Sequence, residues 1–519
     1  MGALLVAFSW MAVIFLSKRR TAVSNDALDV GLLAWASWVV AGLCWSTQPL
    51  VTLGAVWRIA PGLLAFFAAR RCGYLRSTAL LSGLAIVAGV LASGALVELA
   101  GRELCVFPAP LHWQAIGRAH WPLTNPDHLA YLLEGMAPFA FLAYVRRPSL
   151  AGLLNALVLM SALAATLSGS GPAALLVVAV VLGRASTSGA GQSVHTVLRG
   201  DTRRRVMAVA LAFVVMAPYW LLGTPGVLTR GDPVGERFLM WRAGWHAWLE
   251  RPLTGFGFGC FNRAMGPHQN WLQRVDYTYA HSCLVEWAVT TGVVGALLAL
   301  FCLACWLRKT NRRSWQTRAA MAGCCVMLLH ECFDFGLLET AGSCWFGFLA
   351  GLALARDTTP FAVQKPPFSR WRLWWNWSLA PMCVLLLAAI AGVMCAFRSG
   401  PDLAFTSTTG SNLPTLLRVA AQDPRNPDPL LDAAEQALKD GESVHAEQLV
   451  RLALARNPGL AQSRLALAET LLRQGYRDTV RQTIQPLIPF YAGLPDVEKR
   501  EARDEIDRLA ALMRAVSEK

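Results

Sequence analysis

The sequence predicts an all-α polytopic membrane helix bundle of about twelve transmembrane helices, with a long outer loop and a soluble α-helical repeat domain at the carboxyl end. Three observations carry this expectation. The 519 residues are 55% hydrophobic and only 15% charged, the profile of a lipid-embedded chain rather than a soluble enzyme. The apolar residues are gathered into long uninterrupted runs. The acidic residues are not: 17 of the 33 fall in the last 122 positions, beside 16 basic ones.

A membrane-crossing helix needs about 20 mostly apolar residues. Runs of this kind fall at roughly 2–17, 28–45, 50–69, 77–98, 127–144, 150–167, 172–183, 206–222, 282–306, 319–333, 340–355 and 378–397. The first is followed, not preceded, by Lys18, Arg19 and Arg20, the reverse of a cleavable signal, so it reads as a retained helix. Thirteen cysteines lie mostly inside these runs without zinc-ligand spacing, which points to packing as their role. Cys105 and Cys260 are candidates for a disulfide between two outer loops.

The net charge of +14 does not imply a nucleic-acid partner, because of where it sits. Loops 17–26, 70–76, 145–149, 183–205, 307–318 and 356–375 hold 22 Lys and Arg, and the alternate set 45–49, 99–126, 168–171, 223–281 and 333–341 holds 8. The positive-inside rule makes the first set cytoplasmic. Both termini then lie outside, as does the long loop 223–281, whose Trp, Phe, Gly and Arg content is that of a folded segment.

From about residue 399 the chain becomes a different polymer, dividing it into a membrane domain, 1–398, and a helical tail, 399–519. Asp423-Pro424, Ala434, Glu435, Leu438 and Gly441 recur 34 positions later as Asn457-Pro458, Ala468, Glu469, Leu472 and Gly475. That period resembles the tetratricopeptide repeat, which implies a docking surface for a protein partner or, as the alternative, a stabilising appendage. The segment 493–516 reads as its polar capping helix.

Almost every unusual polar residue lands on the outer side. Asp127, Tyr131 and Glu134 share one face of a helix that begins at "TNPDHLAYLLEGMAPF", with His128 beside them. "TLSGSGPAALL" offers a small-residue turn around Ser170 with free backbone N–H groups. Residues 230–261 form an Arg- and Trp-rich amphipathic stretch, with Arg230, Arg237 and Arg242, ending in a Gly-rich turn. His281 and Glu286 open the next spanning run; Glu331, Asp334 and Glu339 flank the outer end of the following hairpin, and Arg58 interrupts the third run. An ionised group in hydrocarbon costs at least ~2.5 kcal/mol, so such residues face a cavity or a partner.

These segments resemble the O-antigen ligase and Wzy-type polymerase superfamily of bacterial polysaccharide enzymes. "NPDHLA" (125–130) is similar to the family's Asn-Pro-Asn-His-Leu-Ala helix start. Arg237 and Trp241, then Pro252, Gly255, Gly257 and Phe261, match its Arg-x-x-x-Trp run and Pro-x-x-Gly-x-Gly turn. His281, Glu286, Gly292 and Gly295 match its His-Asn helix, and "HECFDFGLLETAGSCWFGFLAGL" its last hairpin, with Asp334 in place. Two departures stand out: Ser168-Gly169-Ser170-Gly171 lacks the family's arginine, and Ser282 replaces its asparagine.

The resemblance implies a metal-independent inverting glycosyltransferase of a bacterial inner membrane, with its carboxyl-terminal domain in the periplasm. It would move a glycan from undecaprenyl diphosphate to the hydroxyl of an acceptor lipid, glycan or protein, without a cofactor. On this reading His281, Arg237 and Glu286 are the catalytic candidates, with His281 taking the acceptor proton. Arg242, Arg230, Asn125, His128, Ser170 and Asp334 would bind the diphosphate or glycan. Ligase, polymerase and protein O-oligosaccharyltransferase remain open at this point. So do two readings of other classes: a transporter or flippase for lipid-linked glycans, and a scaffold whose working part is the tail.

Overall fold

The computed structural model describes residues 27–71, 78–103, 118–123, 125–146, 149–168, 233–274, 277–310, 315–354, 413–494 and 496–517. Among these residues regular structure is helical throughout, with one isolated β-bridge, Gln273 to Leu460, and no strand. Ala27–Ala41, Pro49–Arg71, Thr78–Glu103, Pro126–Arg146, Leu150–Ala165, Cys283–Lys309, Trp315–His330 and Thr340–Leu354 pack as a bundle around a shared apolar core.

Four helical stretches among the described residues are long and apolar enough to cross a membrane: Ala27–Cys44, Pro49–Arg70, Gly83–Gly101 and Cys283–Lys309. Leu150–Ala165 and Thr340–Leu354 are apolar but shorter. The expected runs 2–17, 172–183, 206–222 and 378–397 lie outside the described residues. Helix starts follow local chemistry: Pro49 and Pro126 occupy first positions, where no N–H is needed, and the Ser149 hydroxyl accepts from Gly152 N–H at 3.0 Å. Pro49–Arg71 and Thr340–Leu354 cross with their backbones touching, Gly62 against the Ser343 carbonyl and Gly347 against that of Gly62. Close approach through small residues substitutes for the hydrophobic drive that lipid removes.

The helix that carries the site is broken on purpose. Within Cys283–Lys309, Gly292 sits at φ 67°, ψ −177°, which forfeits the local helical bonds, and the Gly-rich turn of the outer loop takes their place. Phe256 N–H donates to Val289 O at 3.2 Å, Gly257 N–H to Thr290 O at 2.9 Å, and Val293 N–H to Pro252 O at 2.8 Å. Gly255, at φ 68°, passes so close to the Thr290 carbonyl that a Cβ would overlap it. Irregular backbone at membrane depth is tolerated only where protein satisfies it, and here the turn and the break satisfy each other. Trp45 Nε1 to Thr254 O at 3.0 Å and Trp38 Nε1 to Thr291 O at 2.8 Å lock both to the first described helix. The expected partner of Cys105 is a free thiol: Cys260 is buried against Ser46 and Thr52, and Cys105 lies outside the described residues.

The tail forms its own core. Helical hairpins Asp428–Lys439/Ser443–Arg456 and Ala461–Arg473/Arg477–Ile484 follow one another, and Gly441 and Gly475, 34 positions apart, turn each with φ 84° and 85°. The polar end of the chain is two helices, Asp496–Glu501 and Arg503–Ser517, where the sequence suggests one. This domain is fixed to the outer loop. Gln273 N–H donates to Gly459 O and Ala461 N–H to Gln273 O, both at 2.9 Å. Arg263 faces Asp428 at 3.4 Å and Asp423 at 3.9 Å; Arg425 pairs with Glu250 and lies 4.5 Å over the Phe256 ring. The tail and the outer loop are therefore on one side of the bundle. A disulfide engineered between Gln273→Cys and Leu460→Cys is expected to form readily, and adding Arg263→Glu, which sets three carboxylates together, to cut its yield several-fold in a gel-shift assay.

Candidate active site

The mouth of the bundle is assembled where the outer loop turns into Cys283–Lys309. His281 stands just before this helix at φ 47°, a left-handed conformation that few non-glycine residues adopt. The backbone around it is clamped to hold that shape. Trp241 Nε1 donates to the Ala280 carbonyl at 2.8 Å, Glu286 Oε2 accepts from Ala280 N–H at 2.9 Å, and Cys283 N–H donates to Glu331 O at 2.9 Å.

Behind His281 runs a buried polar chain. Its Nδ1 lies 3.5 Å from Asp334 Oδ1, an ion-pair distance that falls outside hydrogen-bond geometry, and has no other partner. Asp334 Oδ2 faces His330 Nε2 at 3.2 Å, and His330 Nδ1 meets Glu134 Oε2 at 2.8 Å. Glu134, His330 and Asp334 are buried, whereas the His281 side chain retains 27% exposure. Nδ1 is buried, so the exposure of the ring falls on its other atoms. Asp334 also accepts from Phe335 N–H at 2.9 Å. Burial alone would raise the Asp334 carboxyl, yet the facing imidazoles hold it well below the 3.8 usual for aspartate.

Phe335 gathers the other aromatic groups: Tyr279 stacks on it at 4.3 Å, His281 meets it edge-on at 5.0 Å and His128 at 5.1 Å. Arg58 reaches this cluster from its own helix, donating to the Tyr279 hydroxyl with Glu339 4.0 Å away. Burial pushes the Tyr279 hydroxyl up to about 12 despite Arg58, so it keeps a proton to donate.

The candidates named from sequence fall into different places. His281 and His128 share the Phe335 cluster. Arg237 lies one turn before Trp241 on Pro233–Glu250, on the same side of that helix as the residue that pins Ala280. Arg242 does not join it: five residues on, it points about 140° away, exposed beside Phe238, Trp245 and Leu249, a face suited to the lipid interface. Glu286 is buried beneath the loop and holds backbone, and Asp334 sits behind His281, its oxygens occupied. Asn125 accepts from Asp127 N–H at 2.8 Å, the act of a helix cap. Arg230 and Ser170 lie outside the described residues. Sequence reasoning assigned no role to His330, though it precedes Asp334 by the four residues of one helical turn. The contacts of Arg58 with Tyr279 and of Glu134 with His330 also had no signal in the sequence.

Among the described residues no cluster of histidine, cysteine and carboxylate groups has metal-holding geometry. What remains chemically is an accessible imidazole backed by a carboxylate, beside cations and a protonated phenol. In comparison with known proteins, a family model described as O-antigen ligase matches residues 149–300. No curated protein matches the chain. The matched segment contains the outer helix, the Gly-rich turn, His281 and the helix break; Arg58, Glu134, His330 and Asp334 lie beyond it. This similarity supports a membrane protein of the glycosyl-transfer type acting in polysaccharide biosynthesis.

Proposed function

We propose that the protein is an inverting glycosyltransferase of the O-antigen ligase type. It takes a glycan from undecaprenyl diphosphate and delivers it to an acceptor hydroxyl at the periplasmic face of a bacterial inner membrane. The observation that carries this reading is the chain Glu134, His330, Asp334, His281, which ends in an exposed imidazole edge at the mouth of the bundle.

In the reaction, Nε2 of His281 accepts the proton of the acceptor hydroxyl as its oxygen bonds to the anomeric carbon from the side opposite the diphosphate. The bond from that carbon to the phosphate oxygen breaks, and the diphosphate departs with its negative charge. Asp334 faces Nδ1, and its charge stabilises the imidazolium, part of the service a carboxylate gives a catalytic histidine elsewhere. Arg237 and Arg58 neutralise the departing oxygens, an effect worth ~3–4 kcal/mol per well-placed donor, and Tyr279 offers a hydrogen bond. Glu286 is a positioning residue, since it holds the backbone of Ala280 and through it the left-handed turn at His281. Arg242, on the exposed face, meets lipid headgroups. The tail, read as tetratricopeptide-like, is periplasmic by this topology and collects a protein partner.

Transfer by purified protein in liposomes tests the reading, with an undecaprenyl-diphosphate oligosaccharide as donor and product mass as the readout. Arg237→Ala is expected to reduce turnover roughly 10²-fold or more; a rate equal to wild type would remove the arginine from the mechanism. The product mass separates ligation, polymerisation and protein glycosylation. A transporter is the less economical reading because the unusual polar residues gather at one end of the helices instead of along their depth.

A further inference from the structure

We propose that the seam between the outer loop and the carboxyl-terminal domain is a saccharide-binding subsite. It rests on the glycan-transfer reading for the identity of its ligand. A cavity of about 340 Å³ opens there, lined by residues 267–272 of the loop, Pro267 and Leu272 among them, and by Pro458 and Arg464 of the domain. Ligand sites begin at about 300 Å³, and this one has room for one or two sugar rings.

Its chemistry is that of a sugar and not of an anion or an apolar chain. A pyranose presents a C–H face, which rests on an aromatic plane, and a rim of hydroxyls that both donate and accept. Trp271 supplies the half-buried aromatic plane and Asn270 an exposed amide. Gln269 is 1% exposed, its Nε2 donating to Trp271 O at 3.2 Å and its Oε1 unpartnered. Arg464 donates through one terminal nitrogen to Pro458 O at 3.2 Å, while its Nε is buried without a partner. Two of the residues that line the cavity thus carry a buried polar atom without a partner, one acceptor and one donor. Native structures rarely leave such groups unanswered. An anion would find the one guanidinium partly spent and His268 tied to Glu250 at 2.6 Å.

The walls are held before any ligand arrives. The backbone bonds between Gln273 and residues 459 and 461 span the seam, and Arg274 reinforces them through Glu501. Preorganisation of this kind lowers the ordering cost of binding. The subsite keeps the glycan portion of donor or acceptor engaged on the outer side while its reactive end is at His281.

Isothermal titration of the full-length protein in nanodiscs tests this, using the soluble oligosaccharide released by mild acid from the polysaccharide of the cell that supplies the chain. Wild type is expected to bind, Trp271→Ala to bind at least tenfold more weakly, and Asn270→Ala, at an exposed position that the fold does not need, about threefold more weakly. His281→Ala should bind like wild type while losing transfer. No binding by wild type, displacement by inorganic phosphate, or wild-type affinity in both Trp271→Ala and Asn270→Ala overturns the subsite. Full transfer by His281→Ala would instead remove the catalytic reading and leave the binding result standing.

Discussion

Replacing His281 with alanine is expected to lower the transfer rate roughly 10²–10⁴-fold, the usual worth of a general base, with little change in thermal stability. The ring is partly exposed and has no well-formed hydrogen bond to lose. Its backing predicts a graded series. Asp334→Asn keeps the shape but removes the anion, and should cost less than His281→Ala. His330→Ala leaves Glu134 and Asp334 as buried carboxylates without the ring between them, and should destabilise the protein by about 3–5 kcal/mol.

The pH dependence separates these roles. Asp334 titrates well below its ordinary value because the imidazoles outweigh the opposing effect of burial. A carboxyl depressed by folding stabilises the fold above its unfolded pKa, and that contribution is lost only as pH falls through the lower, folded value. Between about pH 5 and 8, Asp334 is thus a constant anion. The rate deficit of Asp334→Asn should therefore be present throughout this range. Initial rates across it decide the point, and wild-type rates in Asp334→Asn take Asp334 out of the mechanism.

Gly292→Ala is expected to be the most damaging single substitution outside the polar chain. The backbone there has φ 67° and ψ −177°, a region that essentially only glycine occupies and that costs other residues of order 1–3 kcal/mol. A Cβ would also collide with the Leu253 carbonyl and the Thr254 amide, backbone atoms that cannot rotate away. The Gly-rich turn would have to withdraw, exposing the carbonyls of Val289 and Thr290 and the N–H of Val293. Loss of monodispersity on size exclusion and a lowered unfolding temperature in detergent are the expected signs, with transfer abolished. Gly42→Ala makes the control, since a methyl there meets nothing within 4 Å. Equal stability of Gly292→Ala and wild type would mean that the turn does not need the break.

Much of this architecture can be read directly from the residues. Apolar runs set the membrane class, and unequally charged loops set the expectation of one outer face; the change of composition near 399 and the 34-residue recurrence point to the tail, whose hairpins turn at the two glycines that recur. Local rules also reach the Gly-rich turn and the histidine at a helix mouth. They do not say what the turn is for. Gly255 and Gly257 read as a turn, and only the structure shows that their small size lets backbone enter the break at Gly292.

By itself, then, the sequence determined the membrane class and which segments are apolar enough to embed, because the cost of placing charge in lipid is paid locally, residue by residue. Only the tertiary structure decided which of those groups meet. Glu134 and His330 are 196 positions apart, and Arg58 and Tyr279 are 221 apart. Whether they touch depends on how each helix is rotated about its axis. In a soluble helix an apolar stripe fixes that rotation; a helix apolar all round carries no such mark. Here close crossings such as Gly62 against Gly347, and the polar chain itself, set the rotation. That is why His281 finds its carboxylate on a turn 53 residues downstream, a meeting that no local pattern marks.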